Sequence, residues 1–243
     1  MRELTGKRYW LVGASEGLGR ALAEHLSRMG VELVLSARSE DRLKELAESL
    51  PGKAHAVPVD ISDTASVTAA AEAAGQIDGM VFLAGVYWPL KATEWDAEKV
   101  EAMCDINFTG AARCVGAVLP GMVARDAGHI VLTGSLSGFR GLPGASGYGP
   151  SKAGVMAMAE AMHCDLRKTG VDVQVANPGF IRTRLTEKND FNMPFLMEPE
   201  DAAREMVELM LTDSFKRSFP AVFASFFRLS QFLPDWAYYR IFA

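Results

Sequence analysis

Residues 8–19 read RYWLVGASEGLG, a short apolar run followed at once by a glycine-rich turn. The run has the composition of a buried strand, and residues 18–29 have helical periodicity, so the turn joins a strand to a helix. Glycines allow a tight turn and let backbone N–H groups approach a phosphate at the positive end of the helix dipole. Placed at the head of a βαβ unit, this GxxxGxG turn indicates a dinucleotide-binding site. The cofactor contacts predicted here are Gly13, Ser15, Glu16, Gly17, Leu18 and Gly19.

Short apolar runs continue to alternate with helical stretches along the chain. Because these runs are almost continuously apolar, they predict central parallel strands that are covered on both faces. The longest helical stretches run from about 96 to 125 and from about 148 to 168. We therefore predict an α/β fold, a single Rossmann-like doubly wound parallel sheet with helices on both faces, and one domain over residues 1–243.

Composition excludes several classes of protein. A net charge of −5 without a long basic run excludes a nucleic-acid partner. Three cysteines without a CxxC pair are typical of a reducing compartment, so we expect a cytoplasmic protein with no metal. The first residues lack the apolar core of a signal peptide. The most apolar stretch, 219–227, is shorter than the roughly 20 residues of a spanning helix, so no membrane span is expected.

The end of the second predicted strand should select between the two nicotinamide cofactors, because the adenosine ribose lies there. The chain reads Ser36-Ala37-Arg38, with no acidic residue to hold the ribose hydroxyls. The guanidinium of Arg38 is suited to a 2′-phosphate, which favours NADP(H) over NAD(H). Two observations oppose this interpretation: Arg38 is also compatible with a plain surface charge, and the Glu16 carboxylate would repel a further phosphate.

A polar set that is suited to proton transfer follows in the second half of the chain. Tyr148 and Lys152 are four residues apart and share one helix face, and Ser135 ends the apolar run HIVLTGS. A phenol titrates near ~10, so acid–base work at neutral pH needs a pKa lower by about three units, or roughly 4 kcal/mol. A neighbouring ammonium supplies such stabilisation, and Ser135 would hold the substrate oxygen. Because Pro150 is tolerated only near a helix start, the pair should lie on the first turns.

Taken together and in this order, the glycine turn, Ser135, Tyr148 and Lys152 resemble the short-chain dehydrogenase/reductase family over about residues 8–183. The resemblance implies a nicotinamide-dependent oxidoreductase. It also implies that Asn107 in DINFTG is a fourth catalytic member, holding a water that links Lys152 to solvent, and that Lys152 contacts the nicotinamide ribose. Further cofactor contacts, besides Arg38, Tyr148 and Lys152, are implied at Asp60, Ile61, Ala84, Gly85, Pro178, Gly179, Ile181 and Thr183.

Three features depart from the family pattern. Val12 stands where a threonine is usual, and Leu83 replaces the asparagine of the family's NAG signature. Neither position does chemistry. No closing strand of the family's VDGG type is recognisable, which leaves the family's common tetrameric contact unsupported.

The side chains predicted to flank the catalytic set are apolar, so we expect a hydrophobic alcohol or ketone as substrate. They are Val86, Tyr87, Trp88, Phe139, Leu142 and Phe180, joined by Phe191, Met193, Phe195, Leu196 and Met197 of a lid loop at about 184–198. Core packing is the alternative for each of them. The protein is expected to form a homodimer or a higher homo-oligomer.

The aromatic C-terminal tail, residues 219–243, needs burial somewhere. Packing on the domain or across a dimer, association with a membrane surface, and a cover over the substrate pocket all remain open. Two other functions remain open as well: a dinucleotide-binding sensor without turnover, and an isomerase or dehydratase on the same fold.

Overall fold

The computed structural model describes residues 1–242 and contains one seven-stranded parallel sheet of order β3-β2-β1-β4-β5-β6-β7. The strands are β1 Arg8–Val12, β2 Glu32–Ser36, β3 Ala54–Ala56, β4 Gly79–Phe82, β5 Gly128–Thr133, β6 Val171–Pro178 and β7 Lys216–Phe219. The helices are α1 Gly17–Arg28, α2 Glu40–Ser49, α3 Thr64–Ala74, α4 Ala97–Cys104, α5 Gly110–Ala124, α6 Tyr148–Leu166, α7 Pro199–Met210, α8 Ala221–Ser230 and α9 Asp235–Phe242. The predicted doubly wound parallel sheet is confirmed.

The central strand β1 pairs with β2 on one side and with β4 on the other, so that Trp10 lies between Val34 and Met80. The chain therefore reverses its winding direction between β1 and β4. In such sheets a crevice opens at the carboxyl ends of the strands where the direction reverses. The GASEG turn after β1 lies at this point, which explains why the cofactor turn and the later polar residues meet at one edge.

Helices cover both faces of the sheet, as the apolar strands require. On one face α1, α2 and α7 contribute side chains such as Leu22, Leu43 and Met206 to a buried core. On the other face α3, α5 and α6 bury residues such as Val67 and Val155. Each such side chain contributes about 1.5–3 kcal/mol by leaving water, so the two faces together hold the sheet rigid beneath the site.

A closing strand exists, although none was recognisable from the sequence. Strand β7 begins with Lys216 and Arg217 and pairs only with β6, at the edge of the sheet. Arg217 forms ion pairs with Glu205 and Glu208. An edge strand tolerates charged side chains that a central strand does not. Because β7 lacks a continuous apolar run, the apolar pattern of the sequence did not predict it.

The tail beyond β7, where no regular pattern was recognisable, forms the two short helices α8 and α9. Its aromatic residues lie on more than one side of these helices, so no single helical stripe stands out. By length and hydropathy alone the continuous helical stretch Ala97–Ala124 is long and apolar enough to cross a membrane. Its buried side chains, such as Cys114 and Val118, belong to the core on the sheet.

Candidate active site

The glycine turn is shaped by close contacts that only glycine permits. Gly13 has φ +96°, and a Cβ there would lie 2.5 Å from the backbone nitrogen of Ala84. A Cβ on Gly19 would lie 2.0 Å from the Gly13 carbonyl oxygen. Helix α1 begins at Gly17, and its N-cap residue Glu16 makes no side-chain capping hydrogen bond. The first-turn N–H groups of α1 are therefore available to a phosphate, and the turn fits a dinucleotide.

Several predicted cofactor contacts meet around this turn. Thr183 packs on Gly17, where a Cβ would lie 2.8 Å from the threonine methyl group. A Cβ on Gly85 would lie 3.2 Å from Asn107 Oδ1 and 3.7 Å from Lys152 Nζ, so this glycine joins the turn to the catalytic set. The remaining predicted contacts lie on or beside the same carboxyl edge: Ser15, Leu18, Asp60, Ile61, Pro178, Gly179 and Ile181.

The Glu16 carboxylate, which was expected to repel a further phosphate, is paired with positive charges in the structure. Its carboxylate pairs with Arg42 at 3.0 Å and with Arg184 of the lid loop at 2.6 Å. Arg38 is exposed, and within residues 1–242 no ion pair engages it. Hydrogen bonds from Ser62, rather than this arginine, chiefly lower the pKa of Asp60. Glu16 is thus neutralised by two guanidinium groups, whereas Arg38 is free to meet an anion.

Ser135, Tyr148 and Lys152 converge at the carboxyl end of β5. Tyr148 is the first residue of α6, as the position of Pro150 predicted, and Lys152 follows one turn later. The Lys152 Nζ lies 5.8 Å from the Tyr148 ring centre and donates to the Thr133 carbonyl at 2.9 Å. The Ser135 hydroxyl accepts hydrogen bonds from Ser137 and lowers the pKa of Tyr148.

Burial dominates the acid–base properties of this set in the protein alone. It raises the pKa of Tyr148 to about 12, against the opposing effect of Ser135. It lowers the pKa of Lys152 to about 8, because a buried ammonium loses its hydration. In the protein alone, burial therefore outweighs any lowering of the Tyr148 pKa by Lys152.

Asn107 occupies a π-helical turn, Asp105–Thr109, that joins α4 to α5. Its side chain is fully buried and forms a hydrogen-bonded pair with the backbone of Val86, at 2.7 Å to Val86 N–H and 3.0 Å to its carbonyl. It also donates to Ser151 at 3.0 Å. Asn107 thus ties the loop after β4 to α6, beside Lys152. The proton relay through a water on Asn107 stays a prediction.

A cavity of about 550 Å³ opens beside Ser135 and Tyr148. Four of the predicted apolar residues line it: Tyr87, Leu142, Phe180 and Phe191. Seven do not line it: Val86, Trp88, Phe139, Met193, Phe195, Leu196 and Met197. Three charged residues that were not predicted from the sequence also line the cavity: Lys91, Glu94 and Asp190. The cavity wall is therefore largely apolar and aromatic, with the polar groups of Ser135 and Tyr148 and three exposed charged side chains.

The lid loop is held against the loop after β4. The Tyr87 hydroxyl donates to Asn189 Oδ1 at 2.9 Å, and the Tyr87 carbonyl accepts from Lys188 Nζ at 2.7 Å. Lys188 also lies 4.5 Å from the centre of the Trp88 ring. The Tyr87 ring meets the Tyr148 ring edge to face at 5.0 Å. Tyr87 therefore contacts both the lid and the proton-transfer residue.

The C-terminal tail packs on the body of the protein and also covers the pocket. Phe223 and Phe227, one turn apart on α8, line the cavity, although neither was predicted to. Their spacing of four residues, which places both rings on one helix face, was the signal in the sequence that could have identified them. Arg140 donates to the carbonyls of Ser230 and Leu233 at 3.0 and 2.8 Å and pairs with Asp235. Of the alternatives left open by the sequence, packing on the domain and covering the pocket therefore occur together.

Comparison with known proteins agrees with this fold. The family model for short chain dehydrogenases matches residues 7–193. An uncharacterized oxidoreductase of Myxococcus xanthus is 38% identical over 242 residues, covering 97% of this chain and 96% of the relative. One from Staphylococcus saprophyticus is 36% identical over 215 residues, covering 85% of this chain and 92% of the relative.

Two solved structures extend the comparison. A short-chain dehydrogenase/reductase from Burkholderia phymatum in complex with NAD has a TM-score of 0.87 at 25% identity, covering 95% of this chain and 94% of that one. A serine dehydrogenase complexed with NADP+ has a TM-score of 0.81 at 25% identity, covering 87% and 94%. The fold and site define a nicotinamide-dependent class of oxidoreductase. This chain belongs to the short-chain dehydrogenase/reductase family.

Proposed function

We propose that the protein transfers a hydride between NADP(H) and the carbonyl or secondary-alcohol carbon of a hydrophobic small molecule. The observation that carries this proposal is the presence of Ser135 and Tyr148 in the wall of an aromatic pocket, with Lys152 one turn behind Tyr148 and a turn that fits a dinucleotide nearby. A panel of lipophilic ketones, followed by nicotinamide absorbance with NADPH, tests it. Absence of turnover with purified, folded protein on every ketone would count against it.

The chain's own residues would divide the work as follows. When bound, the reduced nicotinamide supplies a hydride to the carbonyl carbon. The Ser135 hydroxyl holds the carbonyl oxygen, and Tyr148 donates its proton to that oxygen as the C=O double bond becomes a C–O single bond. The Lys152 ammonium stabilises the resulting phenolate. Asn107 keeps the loop after β4 in place, and the aromatic wall excludes water.

The preference for NADPH predicts a selective effect of Arg38→Ala. Removing a guanidinium that pairs with a 2′-phosphate should raise the KM for NADPH about 10- to 100-fold and leave the KM for NADH nearly unchanged. The pairing of Glu16 with Arg42 and Arg184 supports this, because it removes the repulsion that Glu16 would exert. Steady-state kinetics with both cofactors measures the effect.

The matched control is Arg28→Ala, which removes an exposed arginine at the far end of α1. It should change neither KM. If wild-type protein binds NADH better than NADPH, the cofactor preference proposed here is wrong.

The predicted homo-oligomer and cytoplasmic location also stay predictions, which sedimentation velocity and cell fractionation check.

Tyr87→Phe should raise the KM for the ketone about 3- to 10-fold and leave kcat within about twofold, since one hydrogen bond is lost. The variant removes the hydroxyl that reaches Asn189 but keeps the ring against Tyr148. Burial raises the pKa of Tyr87, so its hydroxyl stays a donor at neutral pH. Asn189→Ala should have the same effect, and the double variant should add little to either. A fall in kcat at constant KM would contradict this role.

A further inference from the structure

The outward side of α8 and α9 exposes several large apolar side chains to solvent. Phe232, Trp236 and Leu229 are 85%, 74% and 69% exposed. The set, called here the outer tail face, consists of Val222, Phe226, Leu229, Phe232, Trp236 and Tyr239. Single exposed apolar residues are ordinary, but six within eighteen consecutive positions are an unusual concentration, and exposed apolar patches mark interaction surfaces.

The outer tail face is distinct from the side of α8 that packs inward. Val222, Phe226 and Leu229 are spaced i, i+4, i+7 and form one stripe, whereas Phe223 and Phe227 face the pocket. Helix α8 is therefore apolar on two sides. Since the inward positions are already filled, the tail cannot bury its outer stripe by rolling over.

The tail is held in place before anything binds to it. Arg140 lies 3.9 Å from the centre of the Tyr238 ring, and the Tyr238 hydroxyl donates to the Gly141 carbonyl at 2.7 Å. The ring centres of Phe226 and Phe242 lie 5.4 Å apart, and this contact joins α8 to α9. The patch is thus a preformed surface rather than a loose end.

The charge of the tail indicates which kind of surface could cover the outer tail face. Within residues 221–242 the charged side chains are Arg228, Arg240 and Asp235, and the aspartate is already paired with Arg140. The segment is therefore net positive on a chain whose net charge is −5. Two copies of this segment offer each other no complementary charge, whereas an anionic surface attracts it.

We propose that the outer tail face docks on the surface of an anionic lipid bilayer, with α8 and α9 lying in the plane of the interface. Exposed apolar and aromatic residues flanked by arginines are the composition of interfacial helices. The ten residues of α8 are too few to span a bilayer, so the helix lies flat. Arg240 contacts the lipid phosphates, whereas Arg228 already donates a hydrogen bond to Ser218 Oγ at 3.2 Å.

This surface lies one helix away from the pocket. Phe223 and Phe227 line the cavity from the same helix that carries Val222 and Leu229. Docking would bring the aromatic pocket to a phase in which hydrophobic ketones concentrate. That consequence rests on the proposed function, whereas the docking itself does not.

Co-sedimentation of the full chain with vesicles tests the proposal. We expect binding to vesicles of phosphatidylcholine mixed with phosphatidylglycerol, and binding at least about tenfold weaker to phosphatidylcholine alone. The double variant Phe232→Ser/Trp236→Ser should weaken binding to the mixed vesicles by at least about tenfold, and Arg240→Gln by about threefold. Both altered residues of the double variant are exposed, so circular dichroism should be unchanged. Val123→Ser, at an exposed apolar position on α5, should bind like wild type.

Turnover of a water-soluble ketone provides a separate readout. It should be the same for wild type and the double variant, so loss of lipid binding is distinguished from loss of the reaction. The proposal is overturned if wild type and the double variant bind vesicles equally. It is also overturned if wild type ignores vesicles and the double variant converts a dimer to a monomer in sedimentation velocity, because a second copy then covers the face.

Discussion

Tyr148→Phe is expected to lower kcat for ketone reduction by about 10²- to 10⁴-fold while leaving the Kd of NADPH within about threefold of the wild-type value. The variant removes only the hydroxyl that delivers the proton. The ring, its edge-to-face contact with Tyr87 and the start of α6 are retained. Stopped-flow measurement of hydride transfer and fluorescence titration of NADPH separate the two quantities.

Tyr87→Phe is the matched control, because it removes a hydroxyl from the same pocket without touching the proton path. Its kcat should stay near that of wild type. Turnover that survives in Tyr148→Phe would falsify the assignment of Tyr148 as acid and base. A wild type that binds NADPH tightly and reduces no ketone would instead favour a sensor on this fold.

Lys152→Met is expected to abolish most activity and at the same time to stabilise the fold at pH 7. Lys152 is only 4% exposed, and burial lowers its pKa from 10.5 to about 8. That shift corresponds to roughly 3 kcal/mol spent on a buried ammonium at neutral pH. The hydrogen bond to the Thr133 carbonyl offsets part of it, so we expect Lys152→Met to be about 1–2 kcal/mol more stable.

The sign of this effect follows from proton binding. Between pH about 8 and 10.5 the unfolded chain holds the lysine proton and the native protein does not, so wild-type stability rises with pH through that window. The advantage of Lys152→Met should therefore shrink as the pH rises from 8 toward 10.5. Urea unfolding at pH 7 and at pH 10 measures it.

Lys168→Met is the control, since Lys168 is an exposed lysine just beyond the end of α6. Its stability should stay within about 0.5 kcal/mol of wild type at either pH. A Lys152→Met protein that is less stable than wild type at pH 7 would show that the Thr133 contact outweighs the buried charge.

Other features of the site depend on contacts between distant parts of the chain. From the sequence alone the Glu16 carboxylate opposes NADPH, but Arg184, 168 positions away, pairs with it. The hydrogen bond from Tyr87 to Asn189 joins residues 102 positions apart. No local pattern in the sequence encodes which lid side chain reaches which loop.

The pocket wall depended on tertiary structure in the same way. Of eleven apolar residues expected around the catalytic set, four line the cavity, and the helical tail supplies Phe223 and Phe227. Apolar composition identifies which side chains leave water but not which of them face a core, a cavity or solvent. The tail's two apolar sides show this, since residues of the same type line the pocket and face outward.

Short-range patterns in the chain were sufficient for the parallel sheet, the glycine turn and the Tyr148–Lys152 pair. Strand and helix periods, the conformational needs of glycine and proline, and the four-residue helix spacing are all set by neighbours within one or two turns. The charged edge strand β7, the pairing of Glu16, the lid contacts and the aromatic cover became known only from the folded chain. They depend on long-range packing, in which the partner of each side chain is selected by the whole three-dimensional arrangement.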